Sequence, residues 1–337
     1  MLLLNLPGWL RSQQAFDNPL GNAAFIGRRT PSVLVPADLL ISPIQHLALN
    51  IGTPFDVVNE KVGSAIISMC EKLGGSNCST PETSEWGFRI IGLSNHEDSV
   101  GNLLHLFLVS MVVVALIFTK KKPPELKYLV IYTLTIFAGF LLFSWLVTWG
   151  AYWGRLQLPL FVLTAPIFGV VVEKWRKPLV WNLTALLLVC GLPWLLMNRT
   201  RPIISHTPDI TLVKSIFVES RYSLLFANYP ELQDQIAHVT SEAIASNCSK
   251  ISLKIDSRDP EYYFMAYLEP WKNDIEIESV PGDPELNRYK DPDFHACAQI
   301  CSICGNEPGS NGLILVYKDK AMTLYLSPEY YEEYQGR

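Results

Sequence analysis

The chain has 337 residues, room for two or three domains, with 49% apolar residues and a formal net charge of −5. Its mean hydropathy of +0.19 is high for a soluble protein. Residues 1–99 carry 6 basic and 9 acidic side chains, residues 100–198 carry 8 and 2, and residues 199–337 carry 13 and 21. A basic apolar block between two acidic flanks argues against nucleic acid as the main partner.

The seven cysteines are odd in number and follow no regular framework, so they do not read as a small disulfide scaffold. Cys248, Cys297, Cys301 and Cys304 leave room for a disulfide if the last segment faces an oxidising space. Met1–Leu10 is apolar but too short for a secretory signal, contains Pro7 and is followed by no small-residue cleavage site.

Residues 1–99 read as a lead-in. Gly21–Pro36 is loop-like, and Ala37–Asn50 has helical spacing through Leu39, Leu40, Ile44, Leu47 and Ala48. Thr53-Pro54 reads as a helix start, with Thr53 as the cap. The helix continues through Val58, Val62, Ile66, Ile67 and Cys70 to Leu73, and a turn-rich loop follows to Glu85. The apolar sides of these helices need cover, from the outer membrane face or from neighbouring spans.

Around the start of the first span stand His96, Glu97, Asp98, Asn102 and His105. Ionisable groups at a membrane boundary are costly unless paired, metal-bound or hydrated. They fit a site for a phosphate-bearing lipid or a metal. They fit equally a solvated cap, with Asp98 or Ser99 as the N-cap of the span.

Four apolar runs follow: Val100–Phe118, Tyr128–Trp149, Leu156–Val172 and Pro178–Met197. A spanning helix needs about 20 mostly apolar residues, and four such runs would leave a soluble domain little polar surface. Lys120, Lys121, Lys122 and Lys127 lie between the first two runs, and Lys174, Arg176 and Lys177 between the last two. The positive-inside rule puts these loops in the cytoplasm, and the Arg155 hairpin and both flanks outside. Arg199 and Arg201 oppose this weakly. Residues 1–99 then need export, so the natural protein is expected to carry further spans upstream.

The tail reads as a small α/β layer: a helix over Pro230–Asn247, a strand at Ile251–Ile255, and a short helix to Leu268. Strands are expected at Ile275–Val280, Ala296–Ile303, Leu313–Tyr317 and Met322–Leu326. Cys297, Cys301 and Cys304 match an iron–sulfur spacing, but on a late strand they read as packing or a disulfide. Asp291-Pro292-Asp293 imitates the Asp-x-Asp of nucleotide-sugar transferases, and three-letter acidic motifs arise by chance in loops.

Several stretches, taken in order, resemble the bacterial glycosyltransferase family 39 type of membrane enzyme, related to protein O-mannosyltransferases and aminoarabinose transferases. These are Leu47–Pro54 with Asn59, then His96-Glu97-Asp98 with Gly101, Asn102, Leu104 and His105, and then Gly154–Phe161. Cys248, Ile251–Leu253 and Asp259–Tyr262 continue the pattern, and the likeness runs over most of residues 35–330. The chain departs from it at Ile44, Gln45 and His46, where the family pattern has a basic residue and Asn before its His. Asn50 takes the place of that His. The family's catalytic carboxylate, in a first outer loop near the N-terminus, has no counterpart here.

The resemblance implies the C-terminal part of an integral-membrane transferase that is inactive alone. It implies a polyprenyl-phosphate-linked sugar donor, a membrane lipid environment and a separate or missing N-terminal half. No cofactor is certain and a divalent metal is left open. Arg155, among Trp149, Tyr152 and Trp153, is then the contact for the leaving lipid phosphate; without the resemblance it reads as a snorkelling anchor.

The expected fold is a membrane α-helical protein with about four transmembrane helices, followed by a small extracytoplasmic α/β domain. Its divisions are 1–99, 100–198 and 199–337, in a bacterial inner membrane. The alternative is a non-enzymatic anchored protein whose outer domain binds a partner. A transporter fragment is disfavoured by the scarcity of ionisable groups in the spans.

Overall fold

The computed structural model describes residues 2–23, 26–27, 30, 35–76, 78, 87–99, 101–118, 126–173, 175–204, 213–255, 261–271, 274–281, 284–289, 291–304, 312–320 and 322–336. The lysines expected at 120–122, Lys174, and most of the turn-rich loop over 77–86 lie outside them. Chain contacts divide the protein into two units: Met1–Gly21 with Leu212–Arg337, and Asn22–Thr211. Helix α1 (Leu2–Phe16) belongs to the first unit.

In the unit Asn22–Thr211, helix α2 (Asp38–Ala48) buries Ile41, Ala48 and four polar residues, Asp38, Ser42, Gln45 and His46. A buried carboxylate needs donors. Asp38 accepts from the backbone N–H of Val35 and Ser76, at 3.2 and 2.9 Å, and from the Ser76 hydroxyl. It thereby holds the turn closed by the Cys70–Cys78 disulfide.

Helix α3 (Asp56–Leu73) starts three residues after Thr53, and Thr53 does not cap it: the N-cap is Phe55, with no side-chain bond. The Asn59 side chain folds back instead. It accepts from the N–H and hydroxyl of Thr53, both at 2.9 Å, and donates to the Thr53 carbonyl at 2.8 Å. An amide that both donates and accepts satisfies three groups of the turn at once.

Among the described residues, three helices are long and apolar enough to cross a membrane: α5 (Leu126–Leu146), α6 (Gly154–Val172) and α7 (Lys177–Leu196). The shorter apolar α4 (Leu103–Phe118) precedes them. It starts beyond Asp98 and Ser99, so neither is its N-cap. Helix α6 packs against both α4 and α5, and α2 packs against α5. Pro159 and Pro166 lie inside α6, where neighbouring helices and side chains can re-satisfy the freed carbonyls.

The other unit is built on a five-stranded mixed sheet of order β2-β1-β3-β5-β4. Its strands are β1 (Lys250–Ile255), β2 (Glu276–Pro281), β3 (Ala298–Cys301), β4 (Ile314–Lys318) and β5 (Thr323–Leu326). β1 pairs in parallel with β2 and β3, and β5 is antiparallel to both β3 and β4.

Alternation sends Ile251, Leu253, Ile255, Ala298, Ile300, Leu324 and Leu326 to one face. There they form a core with Phe226, with Ile236, Val239 and Ala243 of α9 (Pro230–Ala245), and with Phe264 of α10 (Glu261–Leu268). The short α8 (Arg221–Leu225) is capped by the Ser220 hydroxyl. A closing helix, α11 (Pro328–Gln335), lays Tyr330, Tyr331 and Tyr334 on the same core.

The cysteines expected on the third strand are disulfides. Cys248–Cys297 joins the chain ahead of β1 to the chain ahead of β3, and Cys301–Cys304 closes the turn that ends β3 two residues early. Among the described residues Cys190, within α7, is the free cysteine.

Candidate functional site at the helix ends

The site belongs to the unit Asn22–Thr211 and is assembled from four segments: the end of α2 with its following turn, the loop 94–102, the hairpin 147–153 with the start of α6, and the residues after α7.

A chain of side-chain amides joins three of them. Asn102 donates to Asn50 Oδ1 at 3.1 Å, Asn50 donates to Gln157 Oε1 at 2.6 Å, and Gln157 donates to the His46 carbonyl at 2.9 Å. Asn50 and Gln157 are buried, 1% and 2% exposed. In such surroundings each bond contributes about 0.5–1.5 kcal/mol, and an orphaned partner costs about 1–3 kcal/mol.

His46 Nε2 bonds the Val147 carbonyl at 2.8 Å, and its ring meets Phe143 edge-on at 5.0 Å. Burial pushes the His46 imidazole down to about 4, against the opposing pull of the Val147 carbonyl. His46 Nδ1 is buried and bonded to nothing among the described residues.

Two glycines let the segments close. A Cβ on Gly52 would lie 1.9 Å from the Ile91 carbonyl oxygen, and one on Gly150 would lie 2.7 Å from the Trp153 indole nitrogen. That indole donates to the Thr148 carbonyl at 2.8 Å and closes the hairpin. Trp149 belongs to the same hairpin. It is buried, packs on Phe88 at 5.1 Å, and joins a small core with Ala48, Leu49, Ile66 and Ile90.

The charged residues sit where these segments meet. Asp98 is ion-paired with Arg155, the second residue of α6. Glu97 accepts from the Thr200 hydroxyl at 2.7 Å and from Arg201 Nη1 at 3.4 Å. Neighbouring carboxylates thus each hold an arginine from a different helix end, and both arginines are half-exposed. Burial pushes the Glu97 carboxyl up, but the Thr200 hydroxyl, a backbone bond and the charges of His96 and Arg201 outweigh it and hold the group below its ordinary value. His96 Nδ1 accepts from the Asp98 N–H at 3.1 Å, and its ring lies 6.4 Å from that of Tyr152.

The loop is tied to the end of α7 as well. Trp194 donates to the Ser94 carbonyl at 2.8 Å, Asn95 donates to the Met197 carbonyl, and the Arg199 N–H donates to the Asn95 carbonyl at 3.2 Å.

Of the residues expected at a site, His96, Glu97, Asp98 and Arg155 come together, and Asn102 joins the amide chain beside them. His105 stands apart, exposed on α4 with its ring centroid 6.3 Å from that of Phe161. Arg201, Thr200, Asn50 and Gln157 were not singled out as ligand contacts. The one signal available for Arg201 was a basic residue just past the last span. Among the described residues no group of three or more His, Cys, Asp or Glu is arranged to hold a metal.

The arrangement offers two guanidinium forks beside two carboxylates and an imidazole, at the ends of apolar helices. Such a set can bind a phosphate or other oxyanion. Comparison with protein-family models, with curated proteins and with solved structures gave no match.

Proposed function

We propose that the chain is the donor-binding part of an integral-membrane glycosyltransferase that takes its sugar from a polyprenyl phosphate at the outer face of a bacterial inner membrane. One observation carries this reading. Three of the stretches that resemble the family 39 transferases are far apart in sequence, and they meet in space. Asp98 of the first pairs with Arg155 of the second, and Asn50 of a third bonds Gln157 and Asn102. A likeness of order thereby gains a common location. In this reading the leaving lipid phosphate is met by Arg155, where charge builds as the glycosidic bond breaks.

The disulfides support the sidedness. Cys70–Cys78 precedes the apolar helices, and Cys248–Cys297 and Cys301–Cys304 follow them. Disulfides persist in oxidising spaces, so both flanks belong on one side and the chain crosses an even number of times. Helix α4 must then cross together with α5, α6 and α7. Its 16 residues span about 24 Å at 1.5 Å each, against a hydrocarbon core of roughly 30 Å.

Photo-crosslinking tests the reading. The full chain in lipid nanodiscs is irradiated with a polyprenyl phosphate-sugar that carries a photoreactive group beside the phosphate. The expected adducts lie in peptides covering residues 94–105 and 149–159. Adducts confined to residues 213–336, or none above a polyprenol control, would refute it.

A further inference from the structure

Arg201 stands outside the stretches that carry the resemblance, and the fold brings it to the same loop as Arg155. Glu97 and Asp98 are consecutive, with Cα atoms about 3.8 Å apart. Asp98 holds Arg155 from the head of α6, and Glu97 holds Arg201 from beyond the end of α7. Each arginine meets its carboxylate through one terminal nitrogen, Nη1. A guanidinium has five N–H donors in a fixed fork, so each keeps donors for a second oxyanion without giving up its carboxylate. The carboxylates set the direction of two long side chains that would otherwise sample many rotamers.

We infer that Arg155 and Arg201 form a two-pronged clamp on one lipid phosphate, with Glu97 and Asp98 as the positioning residues. This deepens the donor-binding reading and rests on it for the identity of the lipid. The source of the phosphate follows from where the arginines sit. Arg155 is the second residue of one apolar helix, and Arg201 follows the last residue of another by five positions. Helix α7 is apolar along its length and has no buried residue, yet its end is fixed to the site loop through Trp194 and Ser94. A phosphate at that level that carries a hydrocarbon chain can lay the chain along α7, whereas free phosphate gains nothing from it. Thr200 fixes the geometry further: its buried hydroxyl donates to Glu97 and accepts from Arg201 Nη1 at 3.4 Å.

Native mass spectrometry of the full chain in nanodiscs, titrated with four probes, tests the clamp. The probes are a long-chain polyprenyl phosphate, the matching polyprenol, phosphatidylglycerol and inorganic phosphate. Arg201→Gln is expected to weaken polyprenyl phosphate binding about tenfold, the scale of one charge-assisted contact, and by as much as Arg155→Gln. Arg201→Lys keeps the charge but not the fork, and it recovers only part of the loss. If Arg201→Gln does not fold, Arg201→Lys alone is read, and a wild-type affinity there overturns the clamp. Wild-type affinity in Arg201→Gln, or inorganic phosphate bound as tightly as the lipid, also overturns it. Phosphatidylglycerol bound as tightly as polyprenyl phosphate, and weakened by both arginine variants, supports the clamp while removing the polyprenyl reading.

Discussion

Asp98 and Arg155 lie 57 residues apart in sequence and are joined side chain to side chain. The first stands in the loop ahead of α4 and the second at the head of α6, so the pair bolts together two helices that already pack along their length. Exposed ion pairs contribute about 0.2–1 kcal/mol, and both partners here are partly solvated. The bond directs the arginine more than it stabilises the fold. A double-mutant cycle with Asp98→Asn and Arg155→Gln, read by denaturant unfolding, is predicted to give a coupling within that range. A coupling above about 3 kcal/mol, the scale of a buried pair, would contradict it.

Gln157 is the centre of the buried amide chain. Gln157→Leu leaves the Asn50 amide and the His46 carbonyl without their partners, and the predicted loss is about 1–3 kcal/mol per stranded group. Gln157→Glu keeps the acceptor for Asn50 and removes the donor to His46. It also places a buried charge, so it should be no better tolerated. Thermal unfolding of the two variants checks this, and a wild-type midpoint for Gln157→Leu would show that the amide chain is not holding the segments.

His46 makes stability depend on pH. Its folded value is held at about 4, below the ordinary 6.5, so between these values the unfolded chain binds a proton that the folded chain refuses. Stability is therefore complete above about pH 6.5 and falls as the pH drops towards 4, by roughly 3 kcal/mol at the lower end. His46→Gln can still donate to the Val147 carbonyl and cannot titrate. The variant is predicted to lose this slope, and a stability curve parallel to the wild type across that window would contradict the assignment.

Sidedness is open to labelling. In a Cys190→Ser background, Ser99→Cys and Arg176→Cys place one new thiol on each side of the proposed membrane. A membrane-impermeant maleimide on intact cells is predicted to reach the first and not the second. Labelling of both, or of Arg176→Cys alone, would break the four-crossing topology.

Much of the fold was legible because the signals were local. Apolar runs marked α4 to α7, although their ends moved by up to three residues. Alternation and turn residues marked the five strands, because each strand pairs one solvent-averse face with a shared core. The site was legible only in part.

Asp98 and Arg155 could be named because each places a charge just beside an apolar run. Arg201 could not, since its meaning comes from Glu97, 104 residues away. Thr53 was misread because a Thr-Pro pair signals a cap locally, while the Asn59 side chain claims the same groups from the following turn. The Cys70–Cys78 disulfide escaped notice because its second cysteine stood in what read only as a loop. Asp38, which holds the neighbouring Ser76, gave no sign of being buried.

In the proposed reading Arg155 meets the phosphate of a membrane lipid. The most direct measurement titrates a long-chain polyprenyl phosphate into the full chain in nanodiscs and compares wild type with Arg155→Gln at two salt concentrations. Binding is expected to be about tenfold weaker in the variant, with a smaller salt dependence than the wild type because one charge contact is gone. Equal affinity and equal salt dependence in the two proteins would contradict it.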